Sequence, residues 1–182
     1  MKTDITTALV TEHLLIKRML ALIERFAPLT AKGEFRDWQF YLDGVDFIRQ
    51  YADRFHHAKE EDVLFEALVA NGMPRQNSPV AAMLMEHDQG RIYVRAMEAA
   101  ALKAAAGEAN QEQLIAENAL AYAALLREHI SREDEILYPL AERVLPEAVR
   151  SAISAAYSRA EAAAGADVTA RYTLFVEKHE QR

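Results

Sequence analysis

The chain carries six histidines, His13, His56, His57, His87, His129 and His179, and no cysteine. Thiolate nucleophiles, disulfides, iron–sulfur clusters and cysteine-held zinc are thereby excluded. Any metal must be held by imidazole and carboxylate. Two stretches set those groups at a useful spacing: His56 precedes Glu60 by four residues, and His129 stands in the same relation to Glu133. On a helix, residues four apart lie on one face. An imidazole nitrogen and a carboxylate so placed can reach one metal ion, or two adjacent ones. On a solvated face the same spacing gives an ordinary ion pair, a reading that suits His57 and Glu61.

The two stretches also match each other. His56-x-x-x-Glu60-Glu61-Asp62-Val63-Leu64-Phe65 aligns with His129-x-x-x-Glu133-Asp134-Glu135-Ile136-Leu137-Tyr138, mostly with identical or similar residues. The alignment favours His56 and Glu60 as the metal-facing pair. His57 and Glu61 stand as the alternative pair, or as groups that orient the ligands.

These residues need helices to position them. Only 6 Gly and 5 Pro interrupt the 182 residues, and no period-two strand pattern is present, so the reading is all-α. A first helix is expected from an N-cap at Asp4 to Phe26, before Pro28. A second runs from Glu34 to Ala70 and stops at Asn71-Gly72. A third opens with Ser78 as cap and Pro79 at its first position and ends at Ala106, before Gly107. A fourth is capped by Asn110 and reaches Glu142, with a stop or kink at Pro139. Pro146 opens a fifth helix to Ala164, and residues 167–181 read as a sixth. Four long helices with short connections predict an antiparallel bundle over residues 1–145, with residues 146–182 as a helical appendage. That appendage is the candidate surface for a homodimer or a protein partner.

Taken at 100° per residue, each long helix turns a histidine toward the core. His13 shares a face with Leu9, Val10, Ile16 and Leu20. His56 goes with Trp38, Val45, Ala52 and Val63, and His87 with Val80, Met83, Leu84 and Val94. His129 goes with Tyr122, Leu125, Leu126, Ile136 and Leu140. A lone core histidine is most simply hydrogen-bonded to a neighbour; one from each of four helices, converging with two glutamates, points to a bound cation. Glu86 is read as a supporting or surface group, Tyr122 as core packing that could also bond a metal-bound ligand, Met85 as near-core packing and His179 as a solvated surface residue. Gly90, inside the third helix, is read as allowing a close approach.

The pattern resembles the hemerythrin-like (HHE cation-binding) family. The resemblance rests on an inward His on helix one, His-x-x-x-Glu before Val-Leu-Phe on helix two, Glu86-His87-Asp88 on helix three, and His-x-x-x-Glu before Ile-Leu-Tyr-Pro on helix four. It implies a four-helix bundle around a non-haem di-iron centre. His13, His56, His87 and His129 would be terminal ligands, with Glu60 and Glu133 as bridging carboxylates. Two iron ions are the implied cofactor, and manganese or zinc would also suit these donors. Oxygen-carrying members usually place a second His one turn after the helix-three ligand. Here that position is Arg91, which has no free lone pair to ligate. The implied site therefore has open positions for O2, NO, peroxide or water. The order Glu-x-x-His of ferritin-like proteins is absent.

Two functions follow from the resemblance. One is a module that binds or senses O2, NO or iron. The other is a redox enzyme in NO or peroxide detoxification or in iron–sulfur repair. A metal-free bundle with a polar core is the third, least satisfied arrangement. The formal net charge of −7 argues against a nucleic-acid partner. No apolar run is long enough to span a membrane, and Met1-Lys2-Thr3-Asp4 lacks the order of a signal peptide. A cytoplasmic location is expected.

Overall fold

The computed structural model describes residues 2–165 and 167–182, and these are helical with no strand. Helix α1 spans Thr7–Ala31. Helix α2 covers 38–70 as one rod of mixed winding: α over Trp38–Phe47, π over Ile48–His57 and Glu60–Phe65, α again over Glu66–Ala70. Helix α3 is Pro79–Ala105. Helix α4 covers 112–144, α over Glu112–Arg132, π over Glu133–Leu137 and α over Tyr138–Val144. Helices α5 (Glu147–Ala164) and α6 (Val168–Glu180) follow. α1 packs on α4, α2 on α3, and α3 on α4, which gives the antiparallel bundle; α5 packs along the π-wound part of α2, and α6 against α1 and α2. No helix among the described residues is long and apolar enough to cross a membrane.

The ends obey local chemistry with three exceptions. Asp4 accepts from the Thr7 amide at 2.9 Å, Asp37 from Phe40 at 3.1 Å and Ser78 from Ala81 at 3.3 Å, each taking up an orphan amide of a first turn. α1 does not stop at Phe26. It passes Pro28 because Ala27 and Thr30 are buried, and Thr30 Oγ1 is 2.6 Å from the Tyr41 hydroxyl. α2 starts at Trp38 rather than Glu34, since Asp37 provides the cap. Asn110 is not a cap: it takes a left-handed φ of 62°, and α4 begins two residues later.

Two apolar clusters fill the bundle. One, toward one end, gathers Leu15 to Ala27, Phe40 to Phe55, Val94 to Ala104 and Ile115 to Ile130, with Tyr172 and Val176 of α6. The other holds Ile5, Leu9, Leu64, Phe65, Leu68, Val80, Met83 and Leu137 to Leu145, with Ile153 and Tyr157 of α5. The histidines lie near where the two clusters meet: His13 after Leu9, His56 after Phe55, His87 after Met83, and His129 between Leu126 and Ile130. The polar residues thus form one layer sealed above and below by hydrocarbon.

The π turns alter the facing of side chains predicted at 100° per residue. The Ala58 amide bonds Asp53 O and the Tyr138 amide bonds Glu133 O, both five residues back. Such turns advance less per residue than an α-helix. Consequently His56 and His57 are both buried, and so is Glu60. Beyond Glu133 the phase shifts, so Ile136 is exposed while Leu137 and Tyr138 are buried. Met85 is 73% exposed rather than near-core. His179 is buried, not solvated, with Nδ1 2.9 Å from Phe175 O and its ring against Phe40 and Phe175.

Candidate metal centre

The layer contains five imidazoles and two carboxylates. Donor atoms of His57, Glu60, His87 and His129 lie within 4.8 Å of one another, as do those of His13, His56, Glu60 and Glu133. All seven residues are buried, and Glu60 belongs to both groups. His13, His56, Glu60, His87, His129 and Glu133 are thus brought together. The π-wound turn adds His57, whose ring stacks on His87 at 3.7 Å between centroids.

The outward nitrogens explain how the rings are held. Nδ1 of His13 is 2.7 Å from Asp134, that of His56 2.8 Å from Glu12, that of His87 2.6 Å from Glu61, and that of His129 2.9 Å from Glu86. A carboxylate beside each Nδ1 makes that nitrogen the N–H donor, so Nε2 keeps its lone pair. Each carboxylate is fixed in turn by a cation: Lys17 on Asp134 at 2.7 Å, Lys59 on Glu12, Arg91 on Glu61 at 2.7 Å and Arg132 on Glu86 at 2.6 Å. His57 follows the pattern loosely, its Nδ1 3.4 Å from Asp53, which Arg91 also grips at 2.6 Å.

The inward atoms have no comparable partners. Glu60 Oε2 and both oxygens of Glu133 are buried without a hydrogen bond. His56 and His87 Nε2 are each 3.6 Å from Glu60 Oε2, His13 Nε2 is 3.4 Å and His129 Nε2 is 3.2 Å from Glu133. Nε2 of His87 and of His129 are 2.9 Å apart. That is a hydrogen-bond distance, so with protein groups alone one of the two nitrogens carries a proton that a metal would displace. Metal–imidazole bonds of about 2.1 Å place neighbouring donors on the order of 3 Å apart, so these separations fit the edges of coordination shells. Buried carboxylates without partners are costly; a divalent or trivalent cation satisfies them. The donor set, imidazole and carboxylate without sulfur, suits iron, manganese or zinc.

The electrostatics agree. With only protein groups around it, burial and the neighbouring Glu133 carboxylate push Glu60 well above the ordinary carboxyl range. Burial also opposes charge on Glu133, but His129 and His13 outweigh it and hold that carboxyl down. Burial lowers His57 to about 3, with His87 and His129 adding to the effect. His129 is raised to about 9, because Glu133 and Glu86 overcome its burial.

The profile of the hemerythrin HHE cation-binding domain matches residues 4–141. The chain belongs to that family. Cation binding is the property the family's description names, and the histidine–glutamate layer lies wholly within the matched residues. Uncharacterized proteins of Mycobacterium bovis and of two strains of Mycobacterium tuberculosis are 23% identical over 137 residues. That match takes in 75% of this chain and 53% of each relative, so the chain spans about half the length of the curated relatives it matches. No solved structure matches the chain.

The π turns leave no mark in the sequence. Spacing leaves His57 as an alternative ligand or an orienting group, and its donor atom lies with those of Glu60, His87 and His129. Arg91, which spacing marks only as unable to ligate, clamps the carboxylates behind His57 and His87. Glu12, Asp53 and Asp134 have no part assigned from sequence. Their signal is faint but present: Glu12 and Asp134 each adjoin a candidate ligand in sequence.

A cavity of about 180 Å³ borders the layer at His57 and His87. Ile48, Val94, Leu126, Gly90 and Tyr122 line its apolar side, and Arg49, Arg91 and Arg95 its rim. The Tyr122 hydroxyl is buried without a partner. Gly90 faces the Tyr122 ring, and a Cβ there would meet it at 3.5 Å, an ordinary contact rather than an exceptional approach.

Proposed function

We propose that the protein holds a di-iron centre and binds a small ligand, O2 or NO, at it. His13 and His56 would hold one iron; His57, His87 and His129 the other; Glu60 and Glu133 would bridge them. The observation that carries this reading is the orientation of the imidazoles. Four Nδ1 atoms are fastened to carboxylates backed by cations, which turns each Nε2 toward buried carboxylate oxygens that have no hydrogen-bond partner. When bound, iron would supply redox-active positions for a diatomic ligand. The chain's own residues orient the imidazoles, shield the layer between two apolar clusters, and leave the cavity at His57 and His87 as the approach. That cavity is of a size for a small molecule and supports the ligand half of the reading.

The test is anaerobic loading of the full chain with iron(II), followed by titration with NO and, separately, O2, monitored by absorption. Saturable spectral change at a fixed ratio of gas to iron is expected. Iron that binds but gives no response to either gas would remove the ligand half of the proposal and keep the metal half.

A further inference from the structure

The two halves of the layer are not alike. In the internal match, Phe65 on α2 corresponds to Tyr138 on α4. Phe65 stacks against His87 at 6.1 Å, and Tyr138 against His13 at 5.6 Å. The tyrosine alone brings an oxygen. Tyr138 is 1% exposed. Its hydroxyl bonds Glu60 Oε1 and lies 3.5 Å from His13 Nε2. Those are its hydrogen-bond partners among the described residues, and both belong to the donor cluster. Its oxygen thus lies beside two groups of the donor cluster.

We propose that Tyr138 is a further metal ligand, its phenol oxygen completing the position held by His13, His56, Glu60 and Glu133. The inference rests on the di-iron reading above. On the other side His57 supplies a third imidazole where the equivalent of Tyr138 is a hydrocarbon ring. Each position then has the two shared carboxylates and three donors of its own: three imidazoles at one, two imidazoles and a phenolate at the other. The phenol proton leaves with those that the metal displaces from the layer. The two positions then differ in donor type rather than donor number, and the cavity at His57 and His87 alone distinguishes the side open to a small ligand.

The test uses the full chain loaded with iron(II), oxidised in air and freed of excess metal. Iron per chain is assayed first, then visible absorption, then resonance Raman scattering excited in the visible band. A phenolate-to-iron(III) charge-transfer band with tyrosine ring modes is expected. Tyr138→Phe should keep the iron and lose the band; Tyr157→Phe, which removes the nearby buried hydroxyl, should keep both. Two irons per chain without a visible phenolate band, or a band that survives in Tyr138→Phe, would overturn the assignment. A chain that takes up no iron fails at the first assay, and the metal-centre reading falls with it. Should Tyr138→Phe not fold, the Raman spectrum of the unaltered protein decides alone: ring modes present support the ligand, and ring modes absent from an iron-loaded chain overturn it.

Discussion

Four of the five inward imidazoles are each one link in a chain of three: a cation, a carboxylate and the ring. Lys17–Asp134–His13, Lys59–Glu12–His56, Arg91–Glu61–His87 and Arg132–Glu86–His129 repeat that order. Removing an outer link should loosen the ring without emptying the layer. Arg91→Leu frees both Asp53 and Glu61, and iron affinity is expected to fall by about 10–100-fold, measured by competition with a chromophoric chelator. Losing an inner link should be harsher. Glu60→Ala removes the carboxylate common to both halves and should abolish binding of both irons, whereas His57→Ala should lower iron content about as far as His129→Ala. Full iron retention in His57→Ala would place that ring outside the centre. Protonation gives a further check. His129 sits at about 9 and Glu60 above the usual carboxyl range with protein groups alone. Both raised groups hold protons that a metal must displace, so iron(II) affinity should rise with pH and level off above about 9, with protons released on binding. The four histidines on four helices and the paired His-x-x-x-Glu were legible from residue type and spacing. Glu61 and Glu86 were legible as supporting groups but not the rings they hold, and Glu12 and Asp134 were not legible, because their partners lie across the bundle and far off in sequence.

At the scale of elements, the π turns decide which side chains meet. Both carboxylates of the layer open one: Glu60–Phe65 in α2 and Glu133–Leu137 in α4. A helix wheel drawn at a constant 100° therefore drifts beyond Ile48 in α2 and beyond Glu133 in α4, which is why Ile136 falls inward on it and His57 is rotated off the His56 face. The helices themselves were readable from apolar periodicity, glycine and proline. A change in winding leaves little mark on that pattern, since it depends on side chains packed across the bundle. Such turns cost backbone regularity and recur at functional sites. Deleting Ala58 should relax the first of them toward α winding and rotate His56 and His57 against Glu60. The deletion is expected to preserve far-ultraviolet helical content while iron content falls several-fold. Unchanged iron binding would show that the winding does not set the ligand geometry.

Across the whole molecule, the C-terminal helices complete the core rather than hang from it. Ile153 and Tyr157 enter one apolar cluster, and Tyr172 and Val176 the other. Arg150 of α5 is fully buried; its guanidinium donates to Thr3 O at 2.7 Å and to Glu142 O at 2.9 Å, and pairs with the Glu142 carboxylate. It ties the chain's first residues and α4 to α5. Arg150→Ala should destabilise the fold by about 3 kcal/mol through lost packing and charge-assisted bonds, read from urea unfolding. Sequence periodicity showed that residues 146–182 are helical but not where they pack, because that depends on contacts more than a hundred residues apart. The same linkage joins metal to fold: an ion that binds only the native state stabilises it, by about 2.7 kcal/mol at a hundredfold excess over Kd.

The most direct test of the metal centre is stoichiometric titration of the chelator-stripped chain with iron(II) under anaerobic conditions, followed by absorption and thermal unfolding. The geometry predicts a break at about two irons per chain and a rise in unfolding temperature that stops at the same ratio. A break at one iron, or unfolding that iron leaves unmoved, would contradict a centre built from five imidazoles and two shared carboxylates.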